Sequence, residues 1–429
     1  MQTDMSRNSW RPILDGPLAE RARTAVHDIV NALPGPSAAE IIDPSLAGGT
    51  AGLALLCGYL ARAGYDDDEN AAQFLEQAIK AVSTEHIGPS FYGGFAGIAW
   101  STELLQSQLM DPDDDDDDDA NEEIDEVLKD YLQQSSWNDD YDLISGLVGF
   151  GVYALARLPR PTAVECLEHV IDHLDKTAER NPDGIAWLTP PYLLPPHQLK
   201  ECPGGYYNLG LAHGVPGVIA LLGEACAAGV AYTKARPLLD GAVAWLLRQK
   251  LTDAESTFSS WLVPGVKPNN CRVAWCYGDA GLSAALLIAA RSVGNSAWED
   301  EAIHVARRAA LRSPETAGVV DAGLCHGAAG LGHIYNRMFQ ATDDPIFKES
   351  ARFWFERTLE LKRPGQGIAG FSAFRPDQDG NEAWEDDPGI LTGAAGIALA
   401  LLAATTDIEP KWDQMLLVSV PTAQNKTAN

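Results

Sequence analysis

The sequence predicts an all-α fold: a two-layer ring of seven helical hairpins, with loop insertions, in a single domain spanning residues 1–429. Three observations carry this. A Gly-x-x-Gly motif followed by small apolar residues recurs seven times; seven amphipathic segments alternate with those motifs; and no comparably convincing run of alternating residues argues for strands.

The motifs, in order, are "GGTAGLALL" (48–56), "GGFAGIAW" (93–100), "SGLVGFGVYAL" (145–155), "HGVPGVIALL" (213–222), "YGDAGLSAALL" (277–287), "HGAAGLGHI" (326–334) and "TGAAGIALALL" (392–402). Their first glycines fall 45 to 68 residues apart, at 49, 94, 146, 214, 278, 327 and 393. The first amphipathic segment, "ARTAVHDIVNAL", places Val26, Ile29, Val30 and Leu33 on one helical face. "AAQFLEQAIKAV", "EIDEVLKDYLQQ", "VECLEHVIDHLDK", "PLLDGAVAWLLRQ", "DEAIHVARRAALR" and "ESARFWFERTLEL" follow the same pattern. Each unit therefore reads as an amphipathic helix, a loop, and an apolar helix that starts at Gly-x-x-Gly. A helix that is apolar all round has to be buried. Seven of them inside seven amphipathic partners make a closed ring, with the glycine turns gathered at one end around a central cavity.

The longer intervals hold insertions. Residues 181–208, 256–271 and 363–389 are too irregular for helix, and the span around 155–207 reads as the largest embellishment. The run Asp113–Asp119 lies in a stretch (111–130) with thirteen acidic residues and one Lys, and residues 111–123 read as a solvated acidic loop. Net charge is −29, which argues against nucleic acid or an anionic membrane surface as the main partner. The N-terminal "MQTDMSRNSWRPILDG" lacks an apolar signal-peptide core, and no run of eighteen apolar residues spans a membrane. Seven Cys without a CxxC, in a chain of this length, fit a reducing cytoplasm better than a disulfide framework.

Chemistry is expected at the residue preceding each first glycine: Gly48, Gly93, Ser145, His213, Tyr277, His326 and Thr392. One step further back stand Cys276 and Cys325. A lone Cys reads as a small buried hydrophobe and a lone His as a capping residue. Two Cys and a His at equivalent positions of neighbouring repeats read instead as zinc ligands, Cys276, Cys325 and His326, one ion per chain. Three protein ligands suit a catalytic zinc, and two thiolates neutralise the metal's charge, which favours activating a substrate thiol over water. His213 is either a fourth ligand or a free acid/base. Arg272 is placed to steady developing negative charge or to serve an ordinary ion pair, and Asp142 to orient a His or simply to line a loop. Cys57, Cys166 and Cys226 lie on apolar helix faces as core; Cys202 and Cys271, in loops, are alternative ligands. "GFGVYA" (149–154) fits a dinucleotide pattern only formally, because no strand precedes it. His169 and His173 lack the HExxH glutamate and read as surface residues of an outer helix.

"NLGLAHGVPGVIALL", "AWCYGDAGL" and "LCHGAAGL" resemble the signature segments of the lanthionine synthetase C family, the lanthipeptide cyclases, and the likeness extends over essentially the whole chain. The resemblance implies an α/α toroid and a stand-alone zinc enzyme that adds Cys thiols to dehydroalanine or dehydrobutyrine, closing (methyl)lanthionine thioether rings. It implies Cys276, Cys325 and His326 as metal ligands, His213 as acid/base, and Asp142, Arg272 and Tyr277 as further polar catalytic positions. It also implies a dehydrated, leader-bearing precursor peptide as substrate, contacts to the leader from the 155–207 insertion, and a separate dehydratase, with or without a transporter complex, as partner. The ring and its loops account for all 429 residues, so no fused dehydratase is expected. Competing readings are a prenyltransferase-like zinc–thiol enzyme, a relative that adds glutathione to dehydrated residues, and a binding scaffold with a closed structural zinc.

Overall fold

A computed structural model describes residues 10–37, 43–65, 68–109, 119–252, 254–375 and 383–421. Outer and inner helices alternate along the first half: outer α1 (Gly16–Ala32), inner α2 (Thr50–Arg62), outer α3 (Glu69–Thr84), inner α4 (Phe95–Leu109), outer α5 (Glu122–Leu132), inner α6 (Leu147–Ala156) and outer α7 (Pro161–Thr177). After the short α8 (Pro196–Glu201) come inner α9 (Val215–Ala228), outer α10 (Tyr232–Leu247), inner α11 (Asp279–Val293) and outer α12 (Ser296–Ala310). A single turn, α13 (Pro314–Ala317), precedes inner α14 (Ala328–Thr342), outer α15 (Pro345–Glu360) and inner α16 (Ala394–Thr405).

Each inner helix packs on the next, and α16 returns to α2, so the inner ring is closed. The patterns explain the layers. In α16 every residue from Ala394 to Thr405 is buried, as an all-apolar helix demands. In α7 the buried side chains are Ala163, Cys166, Leu167, Val170, Ile171, His173 and Leu174, one stripe of the helix. Each buried Leu or Ile of this kind contributes roughly 1.5–3 kcal/mol.

The hairpin phase differs from the expected one. The close pairs are inner helix then following outer helix: α2 with α3, α6 with α7, α9 with α10, α11 with α12 and α14 with α15. Their connections are short, such as residues 294–295 and 343–344, and a short connection makes antiparallel neighbours. The leading helix α1 is left to pack on α16, which joins the two ends of the chain.

The glycines are explained by close approach. A Cβ on Gly330 would stand 1.9 Å from the carbonyl oxygen of Leu324, and one on Gly146 would stand 2.0 Å from that of Asp140. Each such carbonyl belongs to the residue six before its glycine, because the loop entering every inner helix folds back over that helix's first turn. The same loops are stitched into a circle. Ala47 N–H donates to Tyr92 O, Tyr92 to Ile144, Leu143 to Ala212, Ala212 to Cys276, Cys276 to Cys325, Cys325 to Leu391, and Leu391 back to Ala47, at 2.9–3.5 Å. All seven acceptors lie two residues before a first glycine.

The bore of the ring is filled by the C-terminal segment, which carries no periodic signal. Residues 407–421 include the buried Trp412, Met415, Leu416, Val418 and Val420. Tyr92 Oη donates to Met415 O (2.8 Å) and Trp275 Nε1 to Leu416 O (2.7 Å), immediately beneath the circle of loops. Asp413, fully buried, accepts from Arg337 Nε (2.5 Å) and Nη2 (2.9 Å) and lies 2.7 Å from His333 Nε2.

The insertions form small sheets. β1 (Glu179–Asn181) pairs antiparallel with β2 (Gly184–Ala186); β3 (Leu188–Thr189), β4 (Tyr206–Asn208) and β5 (Trp261–Leu262) form a second sheet in that order; β6 (Ala373–Phe374) pairs with β7 (Trp384–Glu385). Strands of two or three residues are too short to leave an alternating pattern.

Most of the acidic run, Asp113–Asp118, lies outside the described residues. Its last member departs from the solvated-loop reading: Asp119 pairs with the buried Arg157 (2.5 Å) and with Arg160 (2.9 Å). Arg157 also binds Asp125 (2.6 Å) and Glu103 (2.6 Å), so three helices and the end of the acidic run share one guanidinium. His173 is likewise a correction. Seven residues after Cys166, it falls on the core stripe of α7, buried against Trp137 with Nε2 2.7 Å from Leu132 O.

Candidate active and metal site

The circle of loops explains why two distant cysteines meet. Cys276 and Cys325 occupy the same position in neighbouring repeats, and their backbones are hydrogen-bonded at 3.2 Å. His326 follows directly at the N-terminus of α14. The donor atoms of Cys276, Cys325 and His326 all lie within 4.8 Å of one another, the one group among the described residues able to hold a metal ion. Two thiols and an imidazole are a donor set suited to zinc.

The thiols are unequal. Cys276 is held well below the usual thiol value, chiefly by a hydrogen bond with Cys325 and then by His326 and the Arg272 charge, against the effect of burial. The same bond and burial push Cys325 well above it. A low-pKa thiol in a buried, electropositive spot suits metal ligation. His326 Nε2 lies 3.5 Å from the buried carboxylate of Asp321, placed as an outer partner of the ring.

Beside this group is a cleft of about 230 Å³ lined by Asp142, His213, Tyr277, Asn208, Thr189 and Tyr206, among others. His213 Nδ1 hydrogen-bonds Asp142 Oδ2 at 2.5 Å, and its ring stacks on Tyr277 with centroids 6.2 Å apart. Burial works against protonation of His213, but the Asp142 carboxylate outweighs it and the net shift is upward. The ring remains reachable, with 41% of its side chain exposed. Asn208 Nδ2 donates to Tyr277 Oη (3.1 Å), and burial pushes the Tyr277 phenol up, which keeps it protonated. Burial, then the charge of Asp142, push Asp140 up to about 6. Arg272 is exposed and forms no ion pair among the described residues.

Residues 40–417 match the family described as "Lanthionine synthetase C-like protein". The chain belongs to that family. It is 25% identical over 381 residues, covering 80% of this chain and 81% of the relative, to "Nisin biosynthesis protein NisC" of Lactococcus lactis subsp. lactis. It also superposes on the solved structure titled "Nisin cyclase" with a TM-score of 0.74 at 20% identity, over 93% of this chain and 97% of that one. The fold is therefore the toroid of the lanthionine synthetase C-like proteins. Among the described residues no helix is long and apolar enough to cross a membrane.

Within this lanthionine synthetase C-like ring, the structure brings Cys276, Cys325 and His326 together, with Arg272 charge near both thiols, and places His213, Asp142 and Tyr277 in one cleft. Cys271 is not in the metal group; its thiol meets Ser260 at 2.9 Å. Cys202 is packed with Leu194 and Tyr206 in a separate small cluster. Cys166 and Cys226 are buried in the main core, with Cys57 partly buried against it. Sequence reading passed over Asp321, Asn208 and Asp140. A signal for them existed: all three sit six residues before a first glycine, a position also held by Asp43, Arg272 and Asp387.

Proposed function

We propose that the protein is a zinc-dependent lanthipeptide cyclase acting on a dehydrated, leader-bearing precursor peptide in the cytoplasm, alongside a separate dehydratase and any transporter complex it joins. The observation that carries this is the position of the Cys276–Cys325–His326 group next to the Asp142–His213 pair, in a ring whose relatives are named for nisin biosynthesis and cyclisation. Cys276, Cys325 and His326 would hold zinc, which would supply a site that favours the thiolate form of a substrate Cys at neutral pH.

The chain's own groups account for the rest. Thiolate attack on the β-carbon of dehydroalanine or dehydrobutyrine forms the C–S bond and leaves the π electrons as an enolate. His213, its charged form favoured by Asp142, delivers a proton to the α-carbon; solvent then restores the imidazolium. Asp142 fixes the tautomer and orientation of the ring. Arg272 and the Tyr277 hydroxyl lower the energy of the developing enolate. The three-donor set favours a substrate-binding metal over the closed structural site of a scaffold.

His213→Ala is expected to retain zinc and fold while cyclisation slows about 10²- to 10⁴-fold, the usual worth of a positioned proton donor. Zinc content and mass-spectrometric ring counting check this; unimpaired cyclisation would remove His213 from the mechanism. The raised His213 pKa has a second consequence. The donor form exists below that pKa, so the rate falls as pH rises through it. In Asp142→Asn that alkaline limb should move to lower pH; a limb that stays put would disconnect the pair from catalysis.

A further inference from the structure

On the far side of the metal group lies a second cleft, of about 340 Å³, lined by residues including Asp321, Arg363, Gln366, Phe371, Ser372 and Trp384. It is built by the 361–374 insertion and β7, and no motif marks it. The two clefts flank the same three ligands. Tyr277, on the first cleft, directly follows Cys276; Asp321, on the second, lies 3.5 Å from His326.

The reaction fixes what each side receives. A proton from His213 must reach the α-carbon of the dehydrated residue, so that residue occupies the first cleft. The attacking sulfur lies at the metal group between them. The chain that carries the sulfur therefore continues away from His213, into the second cleft. The chemistry of that cleft suits a peptide. Trp384, 49% exposed and packed at a tilt against Phe374 with centroids 5.1 Å apart, offers an aromatic face in a cleft that Phe371 also lines. Arg363 and Gln366 are exposed, and with Ser372 they supply donors for backbone carbonyls.

We infer that this cleft is the subsite for the Cys-bearing segment of the peptide, distinct from the His213 cleft that takes the dehydrated residue. The inference rests on the proposed cyclase reading, and its test separates the two. Cobalt replaces zinc in the full-length protein, and the rise in thiolate-to-cobalt absorption above that given by Cys276 and Cys325 reports binding of two probes. One is N-acetylcysteine methylamide; the other is a hexapeptide with Cys at its centre. The hexapeptide should bind at least about tenfold tighter, the gain expected of one well-placed aromatic anchor. Ser372→Trp, which fills the cleft, and Trp384→Ala, which strips its wall, should each abolish that gain and leave the small thiol's affinity unchanged. Equal affinity of the two probes for the unmodified protein, or a gain that survives in both variants, overturns the inference. Absence of any added thiolate band with either probe, beyond that of Cys276 and Cys325, overturns the thiol-binding reading of the metal centre, and the subsite with it.

Discussion

Cys325→Ser is expected to give a folded ring that no longer retains zinc. The substitution keeps the backbone bonds of residue 325, which donates to Leu391 O and accepts from Cys276 N–H, so the circle of loops survives. What goes is one of two sulfur donors in a three-residue set. Losing even an outer partner of a ligand lowers metal affinity roughly 10- to 100-fold; losing a ligand should exceed that, and cyclisation should fall with it. Zinc content after dialysis against a mild chelator, read beside circular dichroism, checks the result. Cys271→Ser is the matched control, a buried thiol outside the group that should leave zinc in place. Zinc retained at full occupancy by Cys325→Ser would mean that the three residues do not form the metal site.

Asp413→Ala should be the most destabilising single change in the bore. It strips Arg337 and His333 of the carboxylate they share, where His333 and Asp413 are fully buried and Arg337 nearly so. Breaking a buried pair by removing one partner costs about 3–5 kcal/mol; Arg337 keeps Pro410 O (3.1 Å) and the exposed Glu409 (3.3 Å), which places the loss at the low end of that range. The urea midpoint should fall accordingly, and Asp413→Asn, which keeps an acceptor, should fall less. An unfolding free energy within about 1 kcal/mol of the parent would show that the C-terminal segment is not anchored by this network. The effect would reach the candidate site, since Met415 and Leu416 accept hydrogen bonds from Tyr92 and from Trp275, the residue before Cys276.

The ring was legible because its constraint is steric and repeats. Gly330 and Gly146 tolerate no Cβ against a carbonyl six residues back, so the motif survives in all seven units whatever else varies. Cys276, Cys325 and His326 were legible because position within a repeat is position in space. The hairpin phase was not, since amphipathic and apolar segments alternate identically whether a helix pairs forward or backward. The plug was hidden because its buried residues, Trp412, Asp413, Met415, Leu416, Leu417, Val418 and Val420, follow no helical or strand period. His173 was misplaced for want of a helical count from Cys166, and the second cleft draws its lining from separate loops that share no pattern.

The backbone circle that carries Cys276 and Cys325 has a further consequence. An open solenoid has terminal repeats that need caps, and its stability divides approximately into units and interfaces. Here Leu391 donates to Ala47 and α1 covers α16, so no unit is terminal and none needs a cap. Removing one would break two interfaces at once and leave edges with nothing to meet. Seven is thus a property of the closed assembly and not a count that can drift by one, which ties the spacing of the two thiols to the integrity of all seven units.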